Sequence, residues 1–222
     1  GIDTKPDAVR FGLAASYTMG DADYRRGGAD VDAYSLAAYG TYFADNGFFT
    51  DIVGRIATVD TDMTVDGNKD GNMDNMLVSL SAEAGWRFNV TSMFYVEPQV
   101  EAAYTHIDSD GLELSDGSKY GFESVESFIG RAGFATGLKC PNNMGDVYLR
   151  ASVVHEFSGD SAIHGANGAV YEIDGDETWF EYGIGANFNL TPASYFWADV
   201  ERTGGATLDE DWRATVGFRY NF

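Results

Sequence analysis

The strongest constraint on this chain is an unbroken two-residue alternation in its last stretch, Asp211 to Phe222, which reads DWRATVGFRYNF. Trp212, Ala214, Val216, Phe218, Tyr220 and Phe222 fall on one face of an extended strand, and Arg213, Thr215, Gly217 and Arg219 on the other. A strand buried in a soluble core gains nothing from aromatic rings at both ends with small aliphatic side chains between them. A strand crossing a bilayer does, because aromatic rings settle at both headgroup levels while the middle meets acyl chains. The stretch also has the roughly 9–11 residues that a tilted strand needs to cross the hydrocarbon.

The alternation recurs along the chain. Phe11, Leu13, Ala15 and Tyr17 oppose Arg10, Gly12, Ala14 and Ser16, and the next run sets Tyr34, Leu36, Ala38 and Tyr42 on one face. Ile52 and Ile56 then oppose Asp51, Val53 and Arg55, and Val78, Leu80, Trp86 and Phe88 oppose Ser79, Glu83 and Arg87. Further runs set Phe94, Val100 and Tyr104 against Glu97 and Glu101, Phe128, Phe134 and Leu138 against Arg131, and Val147, Leu149 and Val153 against Arg150 and Glu156. Phe180, Tyr182, Ile184 and Phe188 oppose Glu181, and Phe196, Ala198 and Val200 oppose Asp199 and Glu201. With the terminal stretch this predicts ten antiparallel strands in hairpin order.

The predicted connections alternate in kind. Residues 20–31, 60–75, 108–121, 158–177 and 203–210 read as long, mostly acidic loops, whereas Asp45-Asn46-Gly47, Asn89 to Ser92, Pro141 to Gly145 and Leu190 to Ala193 read as tight turns. Long loops at one end and short turns at the other are the asymmetry of an up-and-down outer-membrane barrel. The competing reading is a soluble all-β sandwich. It leaves the aromatic strand ends and the near absence of charge on one face unexplained.

Composition agrees once barrels are allowed. A hydrophobic content of 44% is modest, but a barrel hides its lipid signal in alternation. The net charge of −21 argues against nucleic acid as a partner and is expected mainly in the outward loops. On the inward face acids and bases nearly balance, and the predicted lumen-lining residues are Arg55, Glu83, Arg87, Glu97, Glu101, Arg131, Arg150, Glu181, Arg213 and Arg219. Pro98 falls on the outward face of a strand, where it needs a missing ladder bond or a bulge.

The segments VDAYSLAAYGTYFADNGFFTDIV (Val31 to Val53), FYVEPQVEAAYTHID (Phe94 to Asp108), ESFIGRAGFATGL (Glu126 to Leu138) and the terminal RATVGFRYNF carry a resemblance to the C-terminal translocator domain of autotransporters, type V secretion proteins. The resemblance covers nearly the whole chain as a single barrel domain, 1–222. It implies a twelve-stranded barrel with an inner helix, located in the outer membrane of a Gram-negative-type bacterium and exporting a passenger that lies upstream. With ten strands counted and Gly as residue 1, two strands and the helix are expected before this chain. The resemblance also implies outer-membrane lipid and the barrel assembly machinery as partners, the latter reading Phe218, Tyr220 and Phe222 as its signal. No cofactor and no catalysis are expected.

Other chemistry is weaker. His155, Glu156, Asp160 and His164 lie near one predicted outer edge and invite comparison with a rim protease, but nothing in their spacing makes them converge on one water. A freestanding barrel acting as an adhesin or surface structural protein is the other alternative. Asp66, Asn68, Asp70 and Asn72 begin like a calcium loop, yet Leu77 stands where the bidentate Glu belongs, so a solvated acidic loop is preferred. Cys140 stands alone beside a turn and reads as a small packing residue.

Overall fold

The computed structural model describes residues 2–4, 8–66, 69–109, 111–165, 167–191, 193–205, 207 and 210–220. In chain order the strands are β1 (Ile2–Thr4), β2 (Val9–Tyr24), β3 (Gly27–Phe43), β4 (Phe48–Val65), β5 (Lys69–Trp86), β6 (Phe88–Asn89), β7 (Phe94–Ser109) and β8 (Leu112–Leu114). They continue with β9 (Lys119–Phe122), β10 (Val125–Lys139), β11 (Gly145–Glu156), β12 (Ser161–His164), β13 (Val170–Ile173), β14 (Glu177–Thr191), β15 (Ser194–Gly204) and β16 (Arg213–Tyr220). Long strands pair antiparallel with their sequence neighbours in the order β1-β2-β3-β4-β5-β7-β10-β11-β14-β15-β16. The expected up-and-down transmembrane barrel wall with ten long strands is the observed architecture, and the short β1, which the ten-strand count did not include, pairs with β2 as an eleventh member of that order.

The alternation settles which face is which. Leu13 is 67% exposed, Leu36 60% and Leu149 56%, whereas the inward Tyr95 is 1% and Val154 2%. The apolar side chains thus stand outward on every long strand, an inside-out arrangement that only a lipid environment stabilises.

Inside, the wall is packed by rings lying over glycines of the adjacent strand. Tyr39 covers Gly12, Phe49 covers Gly85, Tyr148 covers Gly185 and Trp197 covers Gly217, and a Cβ at any of these glycines would overlap the ring. At the tight turn before β4, Gly47 has φ +92, and Phe48 N donates to Asn46 Oδ1 at 3.0 Å. Only a residue without a Cβ adopts that backbone cheaply, which is why the Asp-Asn-Gly signal closes the hairpin.

Pro98 is accommodated by a missing ladder bond. Pairing of β5 with β7 ends at Gly85↔Gln99, and pairing resumes in the same register at β6, Phe88↔Val96 and Asn89↔Tyr95. The gap lies opposite Pro98, and no bulge is needed.

Several predicted loops are corrected. Residues 20–31 are almost wholly strand, because β2 and β3 are joined only by Arg25 and Arg26. Residues 60–75 likewise belong mostly to β4 and β5. The segment 108–121 contains the β8–β9 pair, and 158–177 contains the β12–β13 hairpin, which joins β9 into a small rim sheet. The physical reason is that hydrophobic alternation ends where lipid ends, whereas backbone pairing continues into water. Above Tyr17 and Tyr34, whose rings lie 4.9 Å apart, the outward positions become Asp21, Asp30, Asp32, Asp60, Asp62 and Asp74. Much of the acidity assigned to loops is therefore carried by strand ends.

Candidate functional site

The inward face of β5 to β16 carries three charge clusters. In the first, Arg131 on β10 sits opposite Glu101 on β7, which is opposite Glu83 on β5, which is opposite Asp51 on β4. Three carboxylates in one cross-strand row repel one another. The Arg131 guanidinium offsets this: it bonds Glu101, lies 3.4 Å from Glu83 Oε2 and 3.5 Å from Glu181 Oε2, and so ties four strands. Asp51, at the end of the row, accepts from the Thr41 hydroxyl.

In the second cluster Arg150 on β11 meets two acids from β15. Its Nη2 donates to Asp199 Oδ1 at 3.0 Å, while its Nε is 2.6 Å from Glu201 Oε1, close but without hydrogen-bond alignment. Glu201 also accepts from Arg213 Nη2 at 2.9 Å. The third cluster lies toward the short turns: Arg87 Nε donates to Glu97 Oε2 at 2.5 Å and its guanidinium stacks 4.4 Å from the Tyr95 ring centroid. Tyr95 donates to Asp146 Oδ2 at 2.7 Å, and Asn187 Nδ2 donates to Asp146 Oδ1 at 3.2 Å. Arg87, Tyr95, Asp146 and Arg150 border a lumen cavity of about 230 Å³.

The structure thus brings together Glu83, Glu101, Arg131 and Glu181, pairs Arg87 with Glu97, and links Arg150 to Arg213 through Glu201. Arg55 does not join them. It is exposed on β4, and among the described residues it forms no ion pair. Arg219 stands on β16 opposite Tyr195. Phe218 and Tyr220 point outward on β16, while Phe222 lies outside the described residues. Asp146 was missed in the sequence because it sits at the mouth of a turn; counting back in twos from Arg150 would have found it.

The wall is uneven around its circumference. β2 to β4 present Ala14, Ser16, Thr18, Ala33, Ser35, Ala37 and Ala57 inward, with the Ser16 and Ser35 hydroxyls 2.6 Å apart. Around this stretch one side of the lumen is lined by small side chains, and the opposite side carries charges tied to one another across strands.

The weaker sites resolve into separate contacts. His155 Nδ1 is 2.7 Å from Thr178 Oγ1 and its Nε2 is 3.5 Å from Asp176, whereas His164 Nε2 is 3.1 Å from Glu123 Oε1. Glu156 accepts from Ser127 Oγ and from the backbone of Phe128 and Ser158, and Asp160 accepts from Gly175 N. The loop reading of the calcium motif is corrected: Asp70 and Asn72 are in extended β5, paired with Thr64 and Asp62 on β4, so the backbone does not wrap a cation there. Asp66 is at the turn with φ 53, and Asn68 lies outside the described residues.

Comparison with known proteins points one way. The family model described as the autotransporter beta-domain matches residues 1–201. The pertactin autotransporter of Bordetella parapertussis is 29% identical over 220 residues, covering 96% of this chain and 24% of that protein. The probable autotransporter YcgV of Escherichia coli is 29% identical over 223 residues, covering 95% and 23%. The chain thus spans about a quarter of the length of these relatives. The solved transport unit of the autotransporter AIDA-I from Escherichia coli superposes with a TM-score of 0.83 at 16% identity, covering 100% of this chain and 79% of that one. The translocator domain of NalP from Neisseria meningitidis superposes with a TM-score of 0.84 at 14% identity, covering 99% and 78%.

Proposed function

The chain belongs to the autotransporter β-domain family and is an outer-membrane β-barrel of a Gram-negative bacterium, and on that premise we propose that its lumen is the route by which an N-terminal passenger reaches the cell surface. The observation that carries the reading is a polar lumen whose charged side chains are tied to one another across strands. An extended polypeptide crossing a barrel needs polar walls that hydrate its backbone, and wall charges already engaged with one another hold it less tightly than free ones. Arg131 among Glu83, Glu101 and Glu181, Arg87 with Glu97, and Arg150 and Arg213 about Glu201 supply that polarity with each of these cations bonded to wall carboxylates. The small inward side chains of β2 and β3, such as Ala14, Ser16, Ser35 and Ala37, leave room beside it.

The same reading makes outer-membrane lipid the partner of the apolar outer wall and the assembly machinery the reader of the terminal aromatics Phe218, Tyr220 and Phe222. It makes this chain part of a longer barrel, in keeping with its covering about four-fifths of the AIDA-I and NalP units. It assigns no catalysis; the rim histidines His155 and His164 contact separate partners, Thr178 and Glu123.

The test uses the full polypeptide that carries this chain, with an epitope placed upstream of residue 1. Protease added to whole cells should remove the epitope when the barrel is intact, and deleting β16 should leave it protected. Equal surface exposure with and without an assembled barrel would refute passage through it.

A further inference from the structure

The barrel end that carries the short turns is uneven in a way that neither wall nor lumen explains. At three successive short connections, between β6 and β7, between β10 and β11 and between β14 and β15, Val90, Met93 and Met144 in the turns and Leu190 at the end of β14 are 62%, 50%, 55% and 60% exposed. The fourth turn, between β3 and β4, carries Asp45 and Asn46 instead. The three apolar turns form one connected rim. Lys139 N donates to Met93 O at 2.7 Å, Lys139 Nζ to Asn89 Oδ1 at 2.5 Å, and Asn189 N to Met144 O at 2.9 Å.

Within this rim six amides are satisfied by the turns themselves. Val90 N and Thr91 N donate to Phe94 O, Met93 N and Phe94 N to Thr91 Oγ1, Met144 N to Pro141 O, and Ala193 N to Thr191 Oγ1. A turn that keeps its amides paired can leave bulk water at small cost, whereas one that relies on water for them cannot. These positions border the outer wall: Phe94, next to Met93, pairs with Leu138, and Gly145, next to Met144, pairs with Phe188. A contiguous exposed apolar ridge in water would be an aggregation hazard, but at the edge of a bilayer it extends the wall.

We propose that Val90, Met93, Met144 and Leu190 are seated in the headgroup–acyl boundary of the periplasmic leaflet. There they hold the β6 to β15 arc at a fixed depth while the Asp45-Asn46 turn stays in water. The partner is the lipid surface itself, recognised by apolar insertion of the kind that places amphipathic elements roughly 5–10 Å into that boundary.

The experiment attaches a bimane fluorophore to single cysteines in a Cys140→Ser background: Val90→Cys, Met144→Cys and Leu190→Cys on the ridge, Asn46→Cys on the polar turn and Leu149→Cys on the wall. The barrel is taken assembled from outer membranes and reconstituted into phosphatidylethanolamine vesicles with and without bromine-labelled acyl chains. The expected result is bromolipid quenching at the ridge at least about twofold greater than at position 46, with weak quenching by aqueous iodide. Ridge labels as open to iodide as position 46, with position 149 still quenched by bromolipid, would overturn the proposal and favour a periplasmic protein as the ridge's partner. Loss of bromolipid quenching at position 149 would overturn it differently, by removing the lipid-facing wall it extends.

Discussion

Tyr95 on β7 reaches across the full width of β10 to donate a 2.7 Å hydrogen bond to Asp146 on β11. The strand it crosses carries Gly137 at that point, and a Cβ there would overlap the Tyr95 ring and hydroxyl. One side chain therefore joins three strands, and the glycine between them makes the span possible. Tyr95→Phe leaves the ring in place and removes the bond, so it should cost about 1 kcal/mol in urea unfolding of the folded barrel. Gly137→Leu should cost more, because ring and bond are displaced together. Equal unfolding midpoints for wild type and Gly137→Leu would contradict the crossing geometry.

Arg131 is the sole cation bonded to Glu83, Glu101 and Glu181 among the described residues. Removing it leaves three facing carboxylates, so Arg131→Met should destabilise the barrel by about 1–3 kcal/mol, the half-buried position softening the loss expected of a fully buried pair. Adding Glu101→Gln to Arg131→Met should recover part of that loss. A double variant no better than the single one would show that the cluster is not held together by charge.

The two faces of β3 can be told apart by one residue. Leu36→Arg places a cation on the lipid side at a cost of roughly 2–4 kcal/mol near mid-bilayer, whereas Ser35→Arg points it into the lumen. Membrane fractions should contain far less of the first than of the second. Similar amounts of both would invalidate the outward phase of this strand.

At the β8–β9 turn the Asp116 carboxyl is held at about 2, first by the Ser118 backbone amide, then by the Ser118 hydroxyl and Lys69. Ser118 N lies 2.9 Å from Oδ1 and Lys69 Nζ 3.0 Å from Oδ2. A depressed carboxyl contributes its stability above the unfolded value of about 3.9 and loses it as pH falls toward 2. The turn should therefore loosen only below about pH 4, and Asp116→Asn should make it insensitive over that range. Carboxyl-carbon NMR titration of Asp116 checks this directly; a midpoint near 4 would remove the basis for the prediction.

Much of the barrel was legible in the chain because two-residue alternation with aromatic ends has one physical solution in lipid. Leu36 out and Ser35 in, Leu149 out and Arg150 in follow from parity alone once one strand is phased. The Asp-Asn-Gly hairpin and the need for a ladder gap at Pro98 followed from local chemistry. What parity could not reach was pairing beyond the bilayer. Asp21, Asp30 and Asp62 read as loop residues because their alternation inverts: above the aromatic level the outward positions become acidic while Ala22, Ala29, Val31 and Met63 turn inward. The strands continue because backbone hydrogen bonds are indifferent to which face is wet.

By itself, then, the sequence determined the ten long strands of this chain, the hand of each face and most of the lumen charges, since all three are one-dimensional patterns. Only the tertiary structure decided which charges meet. Glu83, Glu101, Arg131 and Glu181 come from four strands spread over nearly a hundred residues, and their convergence depends on register and strand tilt. The isolation of Arg55, the Tyr95 span over Gly137 and the joining of three turns into one apolar rim have the same origin. Each is set by which residues the ladder places side by side, and a ladder is a property of pairs of strands rather than of any one of them.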